Sequence, residues 1–397
     1  MNRKPVLAPI DGTLITKSNF TPDGLQYQMC KRCVMDTTDP LIEFDRKGQC
    51  SHCDRFDNHV IPNWQTGKEG EKFLQLMIDR VKQEGKGKPY DCIIGLSGGV
   101  DSSYLAVKLK EWGLRPLAVH VDAGWNSELA VKNIEEICKR LSIELFTHVV
   151  DWESMRDMQL AFLKSNLANQ DVPQDHVFFA ALYQYAIKSK IKFVMEGRNF
   201  ATESILPAAW GYNAMDSRHV RSVQKKFGKL KKSNFPIVSF FDLHITYPHI
   251  LGMTKLAPLN HIEYNKSLAI KELEENYGWT YYGGKHFESR WTRFFQSYYL
   301  PHKFGYDKRK AHLSSLILSG DMTRDEALNE LQKPLYEPAI LLEDKNFVAK
   351  KLRISVEILD ELINESVNHY TDFAHNEDKL KMMIKFYRTF IKPFKFR

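Results

Sequence analysis

The residues that most constrain the fold are 97–103, Ser-Gly-Gly-Val-Asp-Ser-Ser. They directly follow the short apolar run 91–96 and lead into residues 102–112, whose apolar side chains recur at helical spacing. A glycine-rich turn between a strand and a helix brings backbone N–H groups and the positive end of the helix dipole to one point. The pattern therefore predicts a phosphate cradle at the end of a buried strand; the alternative is an incidental strand-to-helix turn.

The remainder of the central region alternates between strand and helix patterns. Apolar runs at 117–121, 145–150 and 191–195 read as strands, and the helical patterns between them include one capped by Asn126 and others at 152–165 and 175–189. This order predicts an α/β fold, a doubly wound parallel sheet with helices on both faces. Ligands of such sheets bind at the carboxyl ends of the strands, here after Leu96, Val121 and Met195.

Four cysteines form a second strong pattern, C-x2-C-x16-C-x2-C, made by Cys30, Cys33, Cys50 and Cys53. This spacing is typical of a structural zinc site with four thiolate ligands. An iron-sulfur cluster and a redox C-x-x-C pair are the alternatives, and His52 is a candidate replacement ligand. With the cysteine pattern, four regions are predicted: a polar tail at 1–28, a zinc-ribbon module at 29–62, the sheet domain at 63–254, and a mostly helical region at 255–397.

Charge and hydropathy restrict the class of partner. The 397 residues include 56 basic and 49 acidic side chains, and this modest excess gives weak support for nucleic-acid binding. The longest apolar stretch, residues 236–253, contains Asp242 and two histidines, so no membrane span is predicted. The first 28 residues lack the apolar core of a secretory signal, and we expect a cytoplasmic protein. The basic segment 225–232 is expected to be a mobile loop.

The 97–103 loop resembles the SGGxDS loop of the PP-loop ATP pyrophosphatases, a HUP-like superfamily whose members cleave ATP between its α and β phosphates to adenylate a substrate oxygen. The resemblance implies ATP and Mg²⁺ as cofactors, with Asp101 helping to hold the metal. It implies that nucleotide-binding residues lie in this loop and after the second and fourth strands: Ser97, Gly98, Gly99, Val100, Asp101, Ser102, Ser103, Val121, Asp122, Glu196, Gly197 and Asn199.

A closer resemblance runs from residue 29 to about residue 331. The blocks 30–40 (CKRCVMDTTDP), 48–53 (GQCSHC), 97–103, 283–293 (GGKHFESRWTR) and 303–309 (KFGYDKR) are similar in order to those of the bacterial N-acetyl sugar amidotransferases of surface-polysaccharide (LPS O-antigen type) biosynthesis. These enzymes use ATP and ammonia to convert an acetamido group on a nucleotide-linked sugar into an acetamidino group. The resemblance implies the same activity here.

Basic residues concentrated between 285 and 309 are candidates for stabilising the departing phosphates, because the loop itself has no lysine. The alternative is a solvated basic face. We assign Lys285 and Lys308 with Asp101 to catalysis, Lys303 and Arg309 to nucleotide binding, and His286, Glu288, Arg290 and Arg293 to the substrate.

The source of ammonia follows from an absence. Residue 2 is Asn, and neither Cys92 nor Cys138 lies on a glycine-flanked elbow, so no glutaminase nucleophile is expected in this chain. The family resemblance implies a separate glutaminase subunit and a cyclase-like subunit that conducts ammonia.

Two other functions stay open. A tRNA-thiolating or otherwise tRNA-modifying PP-loop enzyme would use the zinc module to grip RNA, although thiolases need cysteines near the adenylated base and the cysteine pairs here precede the loop. A non-enzymatic docking protein would require a degenerate loop, which the intact Asp101 and serines do not support.

Overall fold

A parallel five-stranded sheet is the centre of the structure, a computed structural model that describes residues 27–284 and 287–386. The strands are β1 (Cys92–Gly95), β2 (Pro116–Asp122), β3 (Glu144–Val149), β4 (Phe193–Met195) and β5 (Thr254–Leu256). They lie in the order β3-β2-β1-β4-β5, so the chain builds outwards from β1 in one direction and then in the other. The ends of β2, β1 and β4 are neighbours, and the predicted parallel sheet is confirmed.

Side chains alternate between two buried layers. Ile93, Leu117 and Val119 point into one core, while Cys92 and Ile94 point into the other. The helices of the sheet region are α2 (Gly67–Gly85), α3 (Val100–Glu111), α4 (Glu128–Leu141), α5 (Trp152–Lys164), α6 (Val172–Lys188), α7 (Phe200–Glu203), α8 (Ser217–Phe227) and α9 (Lys266–Tyr277), after the short α1 (Ser51–Arg55). Helices α2, α3, α4 and α9 contribute to the core on one face, and α5, α6 and α8 contribute to the core on the other. The sheet is therefore covered on both sides.

The C-terminal region is helical, as expected. Its helices are α10 (Arg290–Phe294), α11 (Leu300–Phe304), α12 (Lys308–Ser319), α13 (Arg324–Leu331), α14 (Pro338–Leu352), α15 (Val356–Asn364) and α16 (Glu377–Phe386). Single turns of 3₁₀ or π-helix occur at Phe56–Val60, Ile61–Asn63, Asp242–Ile250, Pro258–His261, Phe295–Tyr299 and Tyr370–Asp372.

Several local predictions need correction. The cap of α4 is Ser127, whose hydroxyl accepts a hydrogen bond from Ala130 N, and not Asn126. Strand β5 was not predicted because it has three residues, and the boundary expected at 254 falls within it. The basic segment 225–232 is no mobile loop, because its first residues complete α8 and two later backbone N–H groups donate to the Asp157 carboxylate.

The cysteine module packs on helices α12 and α13. The Lys310 ammonium forms a buried ion pair with Asp36, and Val34 N donates to Ser314 Oγ at 3.2 Å. The Arg324 guanidinium donates to the carbonyls of Cys30 and Cys33, 3.0 Å each. These contacts bind residues about 280 positions apart. The described residues of the tail begin at 27, so most of the polar tail predicted at 1–28 lies outside the structural description.

A search of the described helices finds none that combines the length and the apolar character needed to cross a bilayer. The apolar stretch 236–253 instead contains the π-helical turn Asp242–Ile250.

Gly98 has no room for a side chain. Its φ is +81°, and a Cβ placed on it would lie 2.5 Å from the carbonyl oxygen of Ala130 in α4. Gly87 has a similar φ of +78° with no atom within 4 Å of the corresponding position. The two glycines share the backbone conformation and differ only in the space around them.

We expect Gly98→Ala to destabilise the protein more than Gly87→Ala. Gly87→Ala should cost about 1–2 kcal/mol for the left-handed backbone alone, and Gly98→Ala should add about 1–3 kcal/mol of overpacking against α4. Urea unfolding of the two variants measures the difference. Equal losses of unfolding free energy would show that the loop does not pack rigidly on α4.

Candidate functional site

The 97–103 loop folds as a turn that opens α3. Gly99 is the N-cap residue of α3 and carries no side-chain cap, so the first N–H groups of α3 have no capping side chain from Gly99. Ser97 Oγ accepts from Gly99 N at 3.2 Å, and Ser102 Oγ donates to Gly99 O at 3.2 Å. These bonds fix the turn around the helix N-terminus. Val100 and Ser103 are buried beneath it and support the turn from below.

Asp101 is held by residues from two other strand ends. Its Oδ1 accepts from Asn199 Nδ2 at 3.0 Å and from the hydroxyl of Tyr264. Gly197 approaches so closely that a Cβ on it would lie 3.1 Å from Asp101 C and Ser102 N. Burial first, and then the neighbouring Asp101 carboxylate, raises the pKa of Tyr264 well above its usual value, which keeps the phenol a hydrogen-bond donor. The carboxylate is therefore oriented before any metal binds.

Glu196, at the end of β4, pairs with Lys255 Nζ at 3.1 Å, and its backbone N–H donates to Leu256 O. The Lys255 ammonium also lies 4.7 Å from the ring centre of Phe179 in α6. This ion pair joins the ends of β4 and β5 beside the loop.

The end of β2 forms the opposite side of the site. Val121 is buried, and Asp122 Oδ1 accepts from Gly124 N at 2.8 Å. A Cβ on Gly124 would lie 2.6 Å from the ring of Trp152, whose face carries the Lys351 ammonium at 4.0 Å. An aromatic ring and a cation thus border the turn after β2.

The C-terminal region begins at the site, where residues 288–290 run antiparallel to residues 125–127. Ser127 N donates to Glu288 O at 2.8 Å, and Arg290 N donates to Trp125 O at 2.9 Å. This pairing places Glu288 Oε1 and Tyr282 Oη each 3.3 Å from the position that a Cβ on Gly99 would take. Glu288 is therefore brought to the loop, whereas Lys285 and His286 lie outside the described residues.

Arg290 and Arg293 are engaged with one buried carboxylate. Arg290 Nε and Arg293 Nε lie 2.8 and 2.7 Å from the two oxygens of Asp344, and Arg290 also pairs with Glu343. Two guanidinium groups thus fasten α10 to α14. Their expected role in substrate binding stays a prediction.

Lys303 and Arg309 are placed differently from the expectation that they bind nucleotide. The Lys303 ammonium is 1% exposed and donates to the carbonyls of Leu362, Ile363 and Glu365, which uses its three N–H groups to cap α15. Burial lowers its pKa to about 8. The Arg309 guanidinium pairs with Asp307 and donates to carbonyls at the end of α13. Both cations cap helices, so the nucleotide-binding assignment is not supported.

Lys308, the first residue of α12, lies opposite Asp175 in α6. Its positive charge opposes the rise in the pKa of Asp175, which burial and the neighbouring Asp171 raise to about 8. The structure thus brings Lys308 to an acidic group that the sequence did not single out.

The cysteine cluster can hold a metal ion. The four Sγ atoms of Cys30, Cys33, Cys50 and Cys53 lie within 4.8 Å of one another, and three of the pairs are 3.6–3.8 Å apart. Zn–S bonds of about 2.3 Å in a tetrahedron imply sulfur separations of about 3.8 Å, so the donor set fits zinc in size and chemistry. His52 Nε2 instead contacts Asp39 Oδ2 at 2.7 Å.

Sequence reasoning missed Tyr264, Tyr282, Lys255 and Asp175. Three of these reach the site through or beyond β5, which no pattern announced, and Asp175 looked like one residue of a helical run. An acidic side chain in the first turn of a helix beside a strand end was the signal available for Asp175.

Comparison with known proteins gives one family and several partial relatives. Residues 288–390 match the family model "LPS biosynthesis protein WbpG-like, C-terminal domain". A tRNA(Ile)-lysidine synthase of Chlamydia pneumoniae is 39% identical over 193 residues, 39% of this chain and 60% of the relative. One of the chains of a glutamine-hydrolysing GMP synthase from Methanococcoides burtonii is 37% identical over 76 residues, 19% of this chain and 24% of the relative. The chain thus spans less than two thirds of either relative.

Among solved structures, an NH3-dependent NAD synthetase from Campylobacter jejuni overlaps 71% of this chain and 94% of its own, with 16% identity and a TM-score of 0.30. The chain thus places the SGGxDS loop of the PP-loop ATP pyrophosphatases at the strand end where its C-terminal region docks, and residues 288–390 belong to the WbpG-like C-terminal domain family of LPS biosynthesis proteins.

Proposed function

We propose that the chain is an ATP-dependent, AMP-forming amidotransferase that converts the acetamido group of a nucleotide-linked N-acetyl sugar into an acetamidino group. The observation that carries this proposal is the docking of the WbpG-like region on the loop, with Glu288 beside Gly99. A domain of LPS biosynthesis proteins thereby borders a phosphate cradle. A substrate bound to this region would lie next to the α-phosphate of ATP.

The chemistry requires activation of the amide oxygen, because oxide is a poor leaving group. The amide oxygen attacks the α-phosphate of ATP, pyrophosphate leaves, and ammonia then displaces AMP from the carbon. The first N–H groups of α3 and the hydroxyls of Ser97 and Ser102 would bind the phosphates. Asp101, already oriented by Asn199 and Tyr264, offers the carboxylate oxygen that Mg²⁺ prefers. When bound, the metal would neutralise phosphate charge.

We expect the purified chain to lower the mass of a UDP-N-acetyl sugar by about one unit, the change from O to NH, in the presence of ATP and ammonium. AMP and pyrophosphate should appear in equal amounts. Asp101→Ala should reduce AMP formation at least ~100-fold, by the loss of an electrostatic contact to the transition state. Asp79→Asn, at an exposed position of α2, is the matched control. Mass spectrometry over a panel of UDP-N-acetyl sugars provides the measurement, and normal AMP formation by Asp101→Ala would remove Asp101 from the mechanism.

Ammonia is proposed to come from a separate glutaminase subunit through a cyclase-like subunit. Cys92 and Cys138 are both buried, and burial raises the pKa of each thiol, which makes either a poor nucleophile. Free ammonia is a small fraction of ammonium at neutral pH, so local delivery would raise its effective concentration.

The chain alone is expected to turn over with ammonium and to be inactive with glutamine. Product formation at matched concentrations of the two nitrogen sources measures the difference, and we expect at least a ~10-fold preference for ammonium, the size of one rate decade. Rapid turnover with glutamine as the sole nitrogen source would contradict the proposed partner.

The cysteine cluster is proposed to hold one structural Zn²⁺, since four thiolates leave no position for substrate. Cys50→Ser should lose the metal and melt at lower temperature, because the module fastens α12 and α13. Cys138→Ser, which changes a buried cysteine outside the cluster, should retain the metal. Metal analysis of fresh protein decides: iron with visible absorbance, or no metal, would show the assignment to be wrong.

A tRNA-modifying ligase is the second candidate, favoured by the similarity to tRNA(Ile)-lysidine synthase. Both reactions begin with adenylation. Modification of tRNA with no change in any nucleotide sugar would support this candidate over the first.

A further inference from the structure

Asp175 lies on the face of α6 that overlooks the end of β1. Leu182, seven residues later on the same helix face, lies 3.8 Å from the position of a Cβ on Gly95. Gly95 is the exposed last residue of β1, and it directly precedes the loop. Four residues connect the end of α6 to β4, so α6 runs back along the sheet with its first turn towards the carboxyl ends of the strands. Asp175 therefore lies about 10 Å beyond Leu182 along the axis, on the ligand side.

The first turn of α6 is fastened to the start of the WbpG-like region. Asp171 Oδ1 accepts from Thr292 Oγ1 and from Gln174 Nε2, 3.0 Å each. Gln174 Oε1 in turn accepts from Ser289 Oγ at 3.1 Å. Ser289 is adjacent to Glu288, which borders Gly99. These bonds hold α6 in a fixed relation to the phosphate cradle.

Two charged side chains act on Asp175. Asp171, on its own helix, raises the energy of the carboxylate, and Lys308, from α12, lowers it. Burial also favours the neutral acid, so the pKa of Asp175 is about 8 and the side chain exchanges its proton near physiological pH. A carboxyl group with this property stands between the sheet domain and α12.

We propose that Asp175 is the proton-transfer residue of the amidation step, held by Asp171 and Lys308 over the end of β1. The inference rests on the proposed function and adds a role that it does not require. Asp101 and the loop serve adenylation, and Asp175 serves the attack by ammonia.

The step balances as a proton shuttle. The lone pair of ammonia forms the new C–N bond, and the π pair of the adenylated imidate moves to the sugar nitrogen. The Asp175 carboxylate accepts one proton from the attacking nitrogen, whose electron pair stays on nitrogen, and returns it to the sugar nitrogen. The C–O bond then breaks with its electrons leaving on AMP, and the amidinium product forms.

Two half-reactions separate this role from the proposed function. Exchange of labelled pyrophosphate into ATP, dependent on a UDP-N-acetyl sugar, reports adenylation without ammonia. Conversion to the acetamidino sugar reports the complete reaction. We expect Asp175→Asn to change the exchange by less than ~3-fold and to slow conversion by ~10²–10⁴-fold, the usual contribution of general acid–base catalysis. Asp175→Glu should recover part of that loss, and Asp79→Asn should lose nothing.

The pH profile gives a second readout. Hydroxylamine replaces ammonia because it is already neutral across this range, so the profile reports the enzyme and not the nucleophile. Wild-type conversion should rise with pH through about 8 as the carboxylate forms, and Asp175→Asn should lack that limb. Asparagine retains the neutral shape of the protonated acid, so the melting temperature at pH 7 should not fall.

Each outcome decides. Full conversion by Asp175→Asn, an unchanged pH limb, or an equal loss of exchange and conversion would overturn the role of Asp175. A wild-type chain that shows no sugar-dependent exchange would instead overturn the proposed function, and the inference with it.

Discussion

The antiparallel contact between residues 288–290 and 125–127 is the interaction on which the candidate site depends. The sheet domain by itself supplies a phosphate cradle, with N–H dipoles and an oriented carboxylate but little to select a substrate. The contact places the start of the WbpG-like region at the mouth of that cradle. Glu288, Tyr282 and, through Ser289, the first turn of α6 all take their positions from it.

The zinc-type module acts on the same region from the other side. Its contacts with α12 and α13 determine where α12 begins, and Lys308 is the first residue of that helix. Three short segments far apart in sequence therefore converge on one cleft. This arrangement explains why a small metal module and a nucleotide-type sheet occur in one chain.

Strong local patterns allowed the main features to be predicted. Glycines between a strand and a helix, and paired cysteines, carry their geometry in a few adjacent residues, and both were found where expected. The roles of the basic residues could not be predicted in this way. Lys303 and Arg309 belong to a dense basic segment, yet their partners are helix-end carbonyls 21 to 62 positions away. Charge counting cannot distinguish a phosphate from an uncapped helix end, because both attract a cation. Asp175 illustrates the converse, since its properties arise from burial and from neighbours on another helix.

The central claim is that the acetamido oxygen is adenylated, and the fate of that oxygen tests it most directly. A UDP-N-acetyl sugar labelled with ¹⁸O in the acetyl carbonyl, incubated with ATP, ammonium and the chain, should transfer the label to AMP, because the C–O bond breaks after the oxygen has bonded to the α-phosphate. Mass spectrometry of AMP and pyrophosphate reads the result. Label in AMP alone is the predicted outcome. AMP without label, or label in pyrophosphate, would contradict the account.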